Sequence, residues 1–257
     1  FIFSVDASHG DRHTSRLFAT LSIFATAALS LPIFDSLLVI FFCWELLDIA
    51  SYILLTHRQD APAKPTFTPE LAGFITAKVG SFLLLLALLL IYTTLGTLTC
   101  SDIFYADALD RLAQAQLPGT TWPLTTVCAV LFITAALIKS SQFPLITRLA
   151  SSAQAPYPAL APVYSLLPLA GIFLLVRAYP LITHTAPALL IPGWQVSPLA
   201  LAGGLTALVA SLCALGQRDL RRTLSLTILA QAGYAFAGLG SGAYAATLIH
   251  TVSSTLL

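Results

Sequence analysis

Four ionisable residues lie deep inside long apolar runs of this sequence: Glu45, Asp48, Lys78 and Lys139. An ionised side chain near the centre of a bilayer costs about 2.5–3.5 kcal/mol on insertion scales. Asp48 follows Glu45 by three residues, so the two carboxylates share one face of a helix. The four formal charges sum to zero, and pairing between neighbouring helices can lower their cost. These residues predict a proton route through a membrane.

Static ion pairs that fix the register of the helices are the alternative interpretation. Buried ion pairs rarely stabilise a protein more than apolar packing would. The static interpretation therefore leaves the cost of four buried charges unexplained, and the proton route is favoured.

The apolar run that contains Lys139 is interrupted by the segment "IKSSQFPL", residues 138–145. Pro144 has no N–H to offer the carbonyl of Ser140 and clashes with it, which predicts a broken helix. Irregular backbone survives at membrane depth only where protein or trapped water satisfies it, and Ser140, Ser141 and Gln142 supply donors and acceptors. A lysine at such a break can take up and release a proton. For Pro144 alone, a simple kink is the alternative.

Two further residues are weaker candidates for the same route. Tyr164 lies near the start of a proline-rich apolar run and can line a hydrated path or anchor the chain at the membrane interface. His250 can relay protons or serve as a packing residue. We identify no glycine-rich nucleotide fingerprint, haem signature or iron–sulfur cysteine spacing, and expect no bound cofactor. The four scattered cysteines are expected to be small buried hydrophobic residues rather than metal ligands.

Composition places these residues in a polytopic membrane protein. Hydrophobic residues make up 57% of the 257 positions and charged residues 9%, against about 25% charged in soluble domains. The net charge of +1 gives no indication of nucleic-acid binding.

About eight helical spans are predicted, because a hydrocarbon core of about 30 Å requires roughly 20 apolar residues per helix. Residues 101–116 have apolar positions at helical spacing and predict an amphipathic helix on the membrane surface. Residues 1–15 predict an interfacial segment, and residues 180–198 a loop. The predicted spans are residues 16–34, 36–56, 70–94, 122–150, 156–179, 199–215 and 223–239, with a partial span from residue 242.

The ends of the sequence suggest a piece of a longer protein. It begins with Phe1, contains no Met and ends at Leu257 inside an apolar run. We therefore expect a fragment or a processed piece, with a separate partner chain as one way to continue it.

Four segments together resemble the antiporter-like membrane subunits of respiratory complex I. The segment "FCWELLDIASYILL" is similar to their W-E-L-x-G-x-x-S-Y-L-L helix, and "IKSSQFPL" to their K-S-A-Q-F-P-L break. The segment "YPALAPVYSLLPLAGIFLLVRAYPL" resembles their P-T-P-V-S-A-L-I-H helix. The segment "LGQRDLRRTLSLTILAQAGYAFAGLGSGAYAATLIH" resembles their Q-T-D-I-K-R…S-Q-L-G-Y…G-A-Y-x-A-A-x-x-H region. Order and spacing agree across nearly the whole sequence.

The resemblance implies inverted repeats of five transmembrane helices, each with one discontinuous helix. It implies a first repeat over residues 16–180, with its break at residues 139–144, and an incomplete second repeat over residues 181–257. Glu45 falls on the key glutamate of the family and Lys139 on the lysine of its first broken helix, which implies that this pair passes protons. Lys78 and His250 fall on a basic residue and a histidine of the family.

Several positions depart from the family pattern. Asp48 stands where the family usually has Gly, and Ser81 replaces an Asp. Tyr164 replaces a His, and Arg221 stands in for a Lys. Ile146 and Arg148 disturb an H-T-W-L segment. The proton path of the first repeat therefore keeps its core pair, Glu45 and Lys139, but has Tyr164 in place of the linking histidine. The proton path of the second repeat is incomplete, and a partner chain is expected to supply the rest.

Three functions are compatible with these features. The first is a proton-translocating subunit of NADH:ubiquinone oxidoreductase, which would act with other membrane-arm subunits and carry no redox cofactor. The second is a subunit of a multi-subunit cation/proton antiporter, and the third is a degenerate scaffold of the membrane arm. The departures favour a mitochondrial inner membrane, with a bacterial plasma membrane as the alternative.

Overall fold

The computed structural model describes residues 13–57, 68–117, 119–146, 157–191 and 196–256. Eleven helices form in these ranges and no named strand does. Residues 1–12 of the predicted interfacial segment, and Arg148 of the altered motif, lie outside them. The helices are α1 (Thr14–Ser30), α2 (Leu37–Leu55), α3 (Pro69–Leu95), α4 (Cys100–Ile103), α5 (Ala106–Gln114), α6 (Leu124–Lys139), α7 (Tyr157–Arg177), α8 (Tyr179–Leu189), α9 (Pro198–Leu215), α10 (Leu220–Gly240) and α11 (Tyr244–Leu256).

The predicted all-α polytopic membrane fold is confirmed. Among the described residues, α2, α3, α9 and the part of α7 from Leu160 are long and apolar enough to cross a membrane, and α6 is a shorter apolar helix. One face of α3 exposes large apolar side chains at intervals of three and four residues, as a lipid-facing helix does. These side chains are Ile75, Val79, Phe82, Leu86 and Leu89.

Helices form close to each predicted span, but two segments differ from the prediction. Residues 180–189 were expected to be part of a loop and instead belong to α8, because Pro180 occupies the first turn, where its missing N–H is not needed. Leu181 and Ile182 of α8 are buried in the core. Residues 101–116 form most of two helices, α4 and α5, rather than one. The buried apolar residues of α5, Leu109 and Leu112, join the protein core.

The main core unites α1 to α8 with parts of α9 and α10. Within it, α2 packs against α1, α3 and α7, while α6 packs against α3, α5, α7 and α8. The loop after α3 is tied to the start of α2, because the N–H of Leu37 donates to the carbonyl of Leu98 and the N–H of Cys100 to that of Asp35. These contacts pack α3 against both α2 and α6. The division into repeats at residue 180 stays a prediction.

Helices α9 and α10 approach so closely that no side chain fits at Gly203 or Gly233. A Cβ atom at Gly203 would lie 2.4 Å from the backbone N of Ala237 and 2.6 Å from the carbonyl oxygen of Gly233. A Cβ at Gly233 would lie 2.7 Å from the backbone N of Ala207. Small residues allow such close backbone contact between membrane helices, where apolar side chains gain little over lipid.

We predict that Gly203→Ala destabilises the protein by about 1–3 kcal/mol, because the added methyl group overpacks this interface. Gly204→Ala is the matched control, since a Cβ at Gly204 meets nothing within 4 Å. The control should be neutral or stabilising by up to about 1 kcal/mol from helix propensity. Denaturant unfolding in mixed micelles measures both variants. Equal stabilities of the two variants would contradict this packing.

Candidate functional site

Three helices bring the four charged residues together, and we call Glu45, Asp48, Lys78 and Lys139 the charge cluster. Both carboxylates come from α2, Lys78 from α3 and Lys139 from the last position of α6. The cluster therefore lies where α2, α3 and α6 meet inside the helix bundle.

The outer pair of the cluster is Glu45 and Lys78. The Nζ atom of Lys78 donates to Oε2 of Glu45 and lies 5.0 Å from the centre of the Phe74 ring. About a third of the Lys78 side chain is exposed, at 32%, and a quarter of the Glu45 side chain, at 25%. This pair is therefore the less buried end of the cluster.

The inner pair is Asp48 and Lys139, and only 1% of each side chain is exposed. The Nζ atom of Lys139 lies 2.8 Å from Oδ1 of Asp48 and donates to the carbonyl of Trp44 at 2.8 Å. It also lies 4.5 Å from the centre of the Trp44 ring, within the range of a cation–π interaction. A buried ion pair is tolerated only with such close geometry and added hydrogen bonds. The local structure is therefore built to hold both charges without solvent.

Asp48 joins the two pairs. Its Oδ2 atom lies 3.9 Å from Nζ of Lys78 and 3.4 Å from Oγ of Ser81, which donates to it. Opposite charges thus alternate from Glu45 through Lys78 and Asp48 to Lys139. The cluster is neutral in sum and reaches from a partly exposed end to a closed one.

The pairing differs from the one implied by the family resemblance. That resemblance implied that Glu45 and Lys139 act as a pair, whereas the structure places Lys139 on Asp48 and Glu45 on Lys78. Three residues along α2 correspond to a rise of about 4.5 Å, so the two carboxylates meet different lysines at different depths. The sequence feature that could have indicated this pairing was Asp48, a second carboxylate on the same helix face as Glu45.

Helix α6 ends at Lys139, where the sequence predicts a break, and protein groups bind some of the polar atoms that follow. Helix α6 ends at Lys139, Ser141 has a φ of 53°, and no helix resumes by residue 146. The Oγ atom of Ser140 donates to the carbonyl of Pro168 at 2.7 Å, and the N–H of Phe143 donates to Oγ1 of Thr206 at 2.8 Å. The break is therefore bound to both α7 and α9.

Helix α7 can support the break because Gly171 faces it. A Cβ atom at Gly171 would lie 2.1 Å from Oγ of Ser140 and 2.6 Å from the carbonyl oxygen of Ala136. Glycine therefore lets the α7 backbone reach the end of α6, next to Lys139.

Among the described residues, the structure shows no hydrogen bond or ion pair that joins Tyr164 or His250 to the charge cluster. Tyr164 is buried on α7, and its hydroxyl has no hydrogen-bond partner among the described residues. Two polar atoms of the break, Oγ of Ser141 and Oε1 of Gln142, share this property within the described ranges. His250 lies 3.1 Å from the carbonyl of Gln231 and lines a cavity of about 560 Å³ between α7, α10 and α11. Their part in a proton route stays a prediction.

In the described parts of the chain, no group of three or more His, Cys, Asp or Glu residues could hold a metal ion. All four cysteines are free thiols; Cys100 and Cys128 are buried, and Cys213 is exposed, contrary to expectation. Burial raises the pKa of Cys100 to about 11, with Arg177 opposing and Asp35 adding to the effect. That thiol is therefore neutral at physiological pH.

Helical bundle, broken helix and buried charge cluster together define an antiporter-like membrane subunit. Residues 35–257 match the family described as NADH:quinone oxidoreductase/Mrp antiporter, transmembrane, and the chain belongs to this family.

Relatives in plants carry the name NAD(P)H-quinone oxidoreductase subunit 5, chloroplastic. The chain is 34% identical over 255 residues to the protein of Zea mays, which covers 98% of this chain and 32% of the maize protein. It is 32% identical over 255 residues to that of Poa pratensis, covering 98% and 34% of the two chains. The chain thus spans about a third of the length of these relatives. Its "SSQFP" and "GAYAA" segments most resemble NADH-ubiquinone oxidoreductase chain 5 of the family, in agreement with these names.

Solved structures share the fold. The Mrp complex from Dietzia sp. aligns with a TM-score of 0.76 and 28% identity over 92% of this chain and 24% of the other. Respiratory complex I from Thermus thermophilus aligns with a TM-score of 0.63 and 20% identity, covering 93% and 49% of the two chains.

We predict that Asp48→Asn destabilises the protein by about 3–5 kcal/mol, because it leaves the buried ammonium of Lys139 without its carboxylate. Glu45→Gln removes the same charge from a partly exposed pair and should cost only about 0–1 kcal/mol. Unfolding in mixed micelles compares the two variants. A larger loss of unfolding free energy for Glu45→Gln than for Asp48→Asn would contradict the burial of the inner pair.

We predict that Thr206→Val destabilises the break by about 1–3 kcal/mol, because the N–H of Phe143 loses its acceptor. Thr206→Ser keeps the hydroxyl and is the matched control. Hydrogen exchange at residues 140–146 should accelerate in the valine variant alone. Unchanged exchange in that variant would mean that α9 does not hold the break.

Proposed function

We propose that this chain is a proton-translocating part of the membrane arm of an NADH:ubiquinone oxidoreductase, complex I. The observation that carries the proposal is the charge cluster, in which opposite charges alternate across three helices from a partly exposed pair to a closed one. Ionisable groups at membrane depth typically mark ion routes, and a neutral cluster can hold its charges while a proton passes.

The geometry supports a stepwise transfer. A proton that reaches the partly exposed carboxylate of Glu45 neutralises it and frees Lys78. The ammonium of Lys78, 3.9 Å from Oδ2 of Asp48, then attracts that carboxylate and weakens its hold on Lys139. Lys139 releases its proton toward the polar residues of the break, Ser141 and Gln142, whose side-chain oxygens are open to a water or a relayed proton. The cycle closes when the proton on Glu45 passes through Lys78 and Asp48 to the neutral Lys139, which restores the starting charges after one net proton transfer.

As part of complex I, the chain would belong to an enzyme, NADH:ubiquinone reductase (H⁺-translocating), without binding a redox cofactor itself. Quinone reduction elsewhere in the complex would drive the charge shifts. Its partners would be the other membrane-arm subunits, membrane lipid and, as one possibility for the second repeat, a separate continuing chain. The mitochondrial inner membrane stays the prediction for the compartment, with the bacterial plasma membrane as the alternative; the names of the plant relatives place those proteins in the chloroplast.

A subunit of a multi-subunit cation/proton antiporter is the second candidate. It is supported by the similarity to the Mrp complex from Dietzia sp., with a TM-score of 0.76. The same cluster would then move protons against another cation, without any redox partner.

We predict that Glu45→Gln and Lys139→Ala each abolish proton translocation by the intact complex in reconstituted vesicles, because each removes one end of the charge cluster. Asp107→Asn is the control, since it removes a carboxylate from the exposed face of α5. Vesicle acidification measured with a pH-sensitive dye, normalised to electron transfer, reports the ratio of protons to electrons.

A normal proton ratio after neutralising both Glu45 and Lys139 would contradict the proposal and favour the scaffold function. Purification separates the two transport candidates. Co-migration with iron–sulfur and flavin subunits supports complex I, whereas isolation without them, with proton flux driven by a sodium or potassium gradient, supports the antiporter.

A further inference from the structure

Asp48 and Ser81 face each other across the buried interface between α2 and α3. Oγ of Ser81 lies 3.4 Å from Oδ2 of Asp48, and both residues are buried, with 4% and 0% of their surfaces exposed. Ser81 follows Lys78 by three residues on α3, so both side chains point toward the same part of α2. The two positions therefore border one small volume between two ammonium groups.

The charge balance around this volume requires one carboxylate. Glu45 neutralises Lys78 from the accessible side, while Asp48 contacts both Lys78 and Lys139. Two carboxylates there would repel each other, and none would leave the two lysine cations with one anion. What matters is that one negative charge lies between Lys78 and Lys139, whichever helix carries the carboxylate.

An aspartate at position 81 could supply this charge. Its carboxyl group would extend from the point where Oγ of Ser81 now touches the Asp48 carboxylate. From α3 it would reach the region that Asp48 fills from α2. A serine at position 48 would in turn vacate that region and keep a hydroxyl as hydrogen-bond donor.

We propose that positions 48 and 81 are interchangeable hosts for a single relay carboxylate, the group that couples the outer pair to the inner pair. The proposal deepens the proposed function and rests on it. It assigns Asp48 a part in proton transfer that a carboxylate on α3 can take over.

A double-mutant cycle in the intact reconstituted complex tests the exchange. Asp48→Ser and Ser81→Asp should each lower proton flux at least about tenfold, since proton transfer by a positioned group contributes about a hundredfold or more. The combined variant Asp48→Ser/Ser81→Asp should recover flux to within about threefold of wild type. Asp48→Ser/Ser81→Asn is the matched control, with similar size and no charge, and should stay inactive.

The melting temperatures of the same variants distinguish a proton-transfer role of Asp48 from a purely structural role. Recovery of both flux and melting temperature in the combined variant supports the exchange. Recovery of melting temperature without flux overturns it, because Asp48 then only stabilises the helices. If the flux losses of the two single variants simply add in the combined variant, the proposed exchange is also overturned. If the wild-type complex moves no protons under any driving force, the proposed function fails as well, a result distinct from failed rescue in an active complex.

Discussion

The interior contact between the Asp48 carboxylate and the Lys139 ammonium is the interaction on which this structure depends. Neither charge reaches solvent, so each requires a partner of opposite sign at close range. The surrounding structure meets that need with the carbonyl and ring of Trp44 and with a second cation, Lys78, on the far side of the carboxylate. An apolar environment makes these contacts strong and makes the loss of any one costly.

The position of Lys139 at the end of α6 follows from the same constraint. At the break, polar backbone and side-chain groups become available, and they are held by α7 through Gly171 and Pro168 and by α9 through Thr206. The break thus links the charge cluster to the helix that the sequence assigns to the second repeat. A proton leaving Lys139 would enter a region already bordered by oxygen atoms.

Much of this architecture could be predicted from the sequence, because a helix that spans a bilayer requires a long apolar segment that is visible in the sequence. Apolar length gave the spans, Pro144 gave the break, and charges inside apolar runs gave the cluster residues. The pairing could not be predicted, since it depends on how α2 is rotated against α3 and α6. Helix α8 was missed because Pro180 and Pro187 are typical of loops, whereas here the first lies in the initial turn and the second near the end of the helix. Asp48 and Ser81, taken separately, looked like departures from the family; only their contact relates them.

Infrared difference spectroscopy of the complex under turnover tests the central claim, that protons pass through these buried charges. The account predicts a carboxylic acid band that appears during turnover, shifts in D₂O and is absent from the Glu45→Gln variant. If the same band persisted in that variant, or if the carboxylates stayed ionised throughout turnover, the protons would take another path.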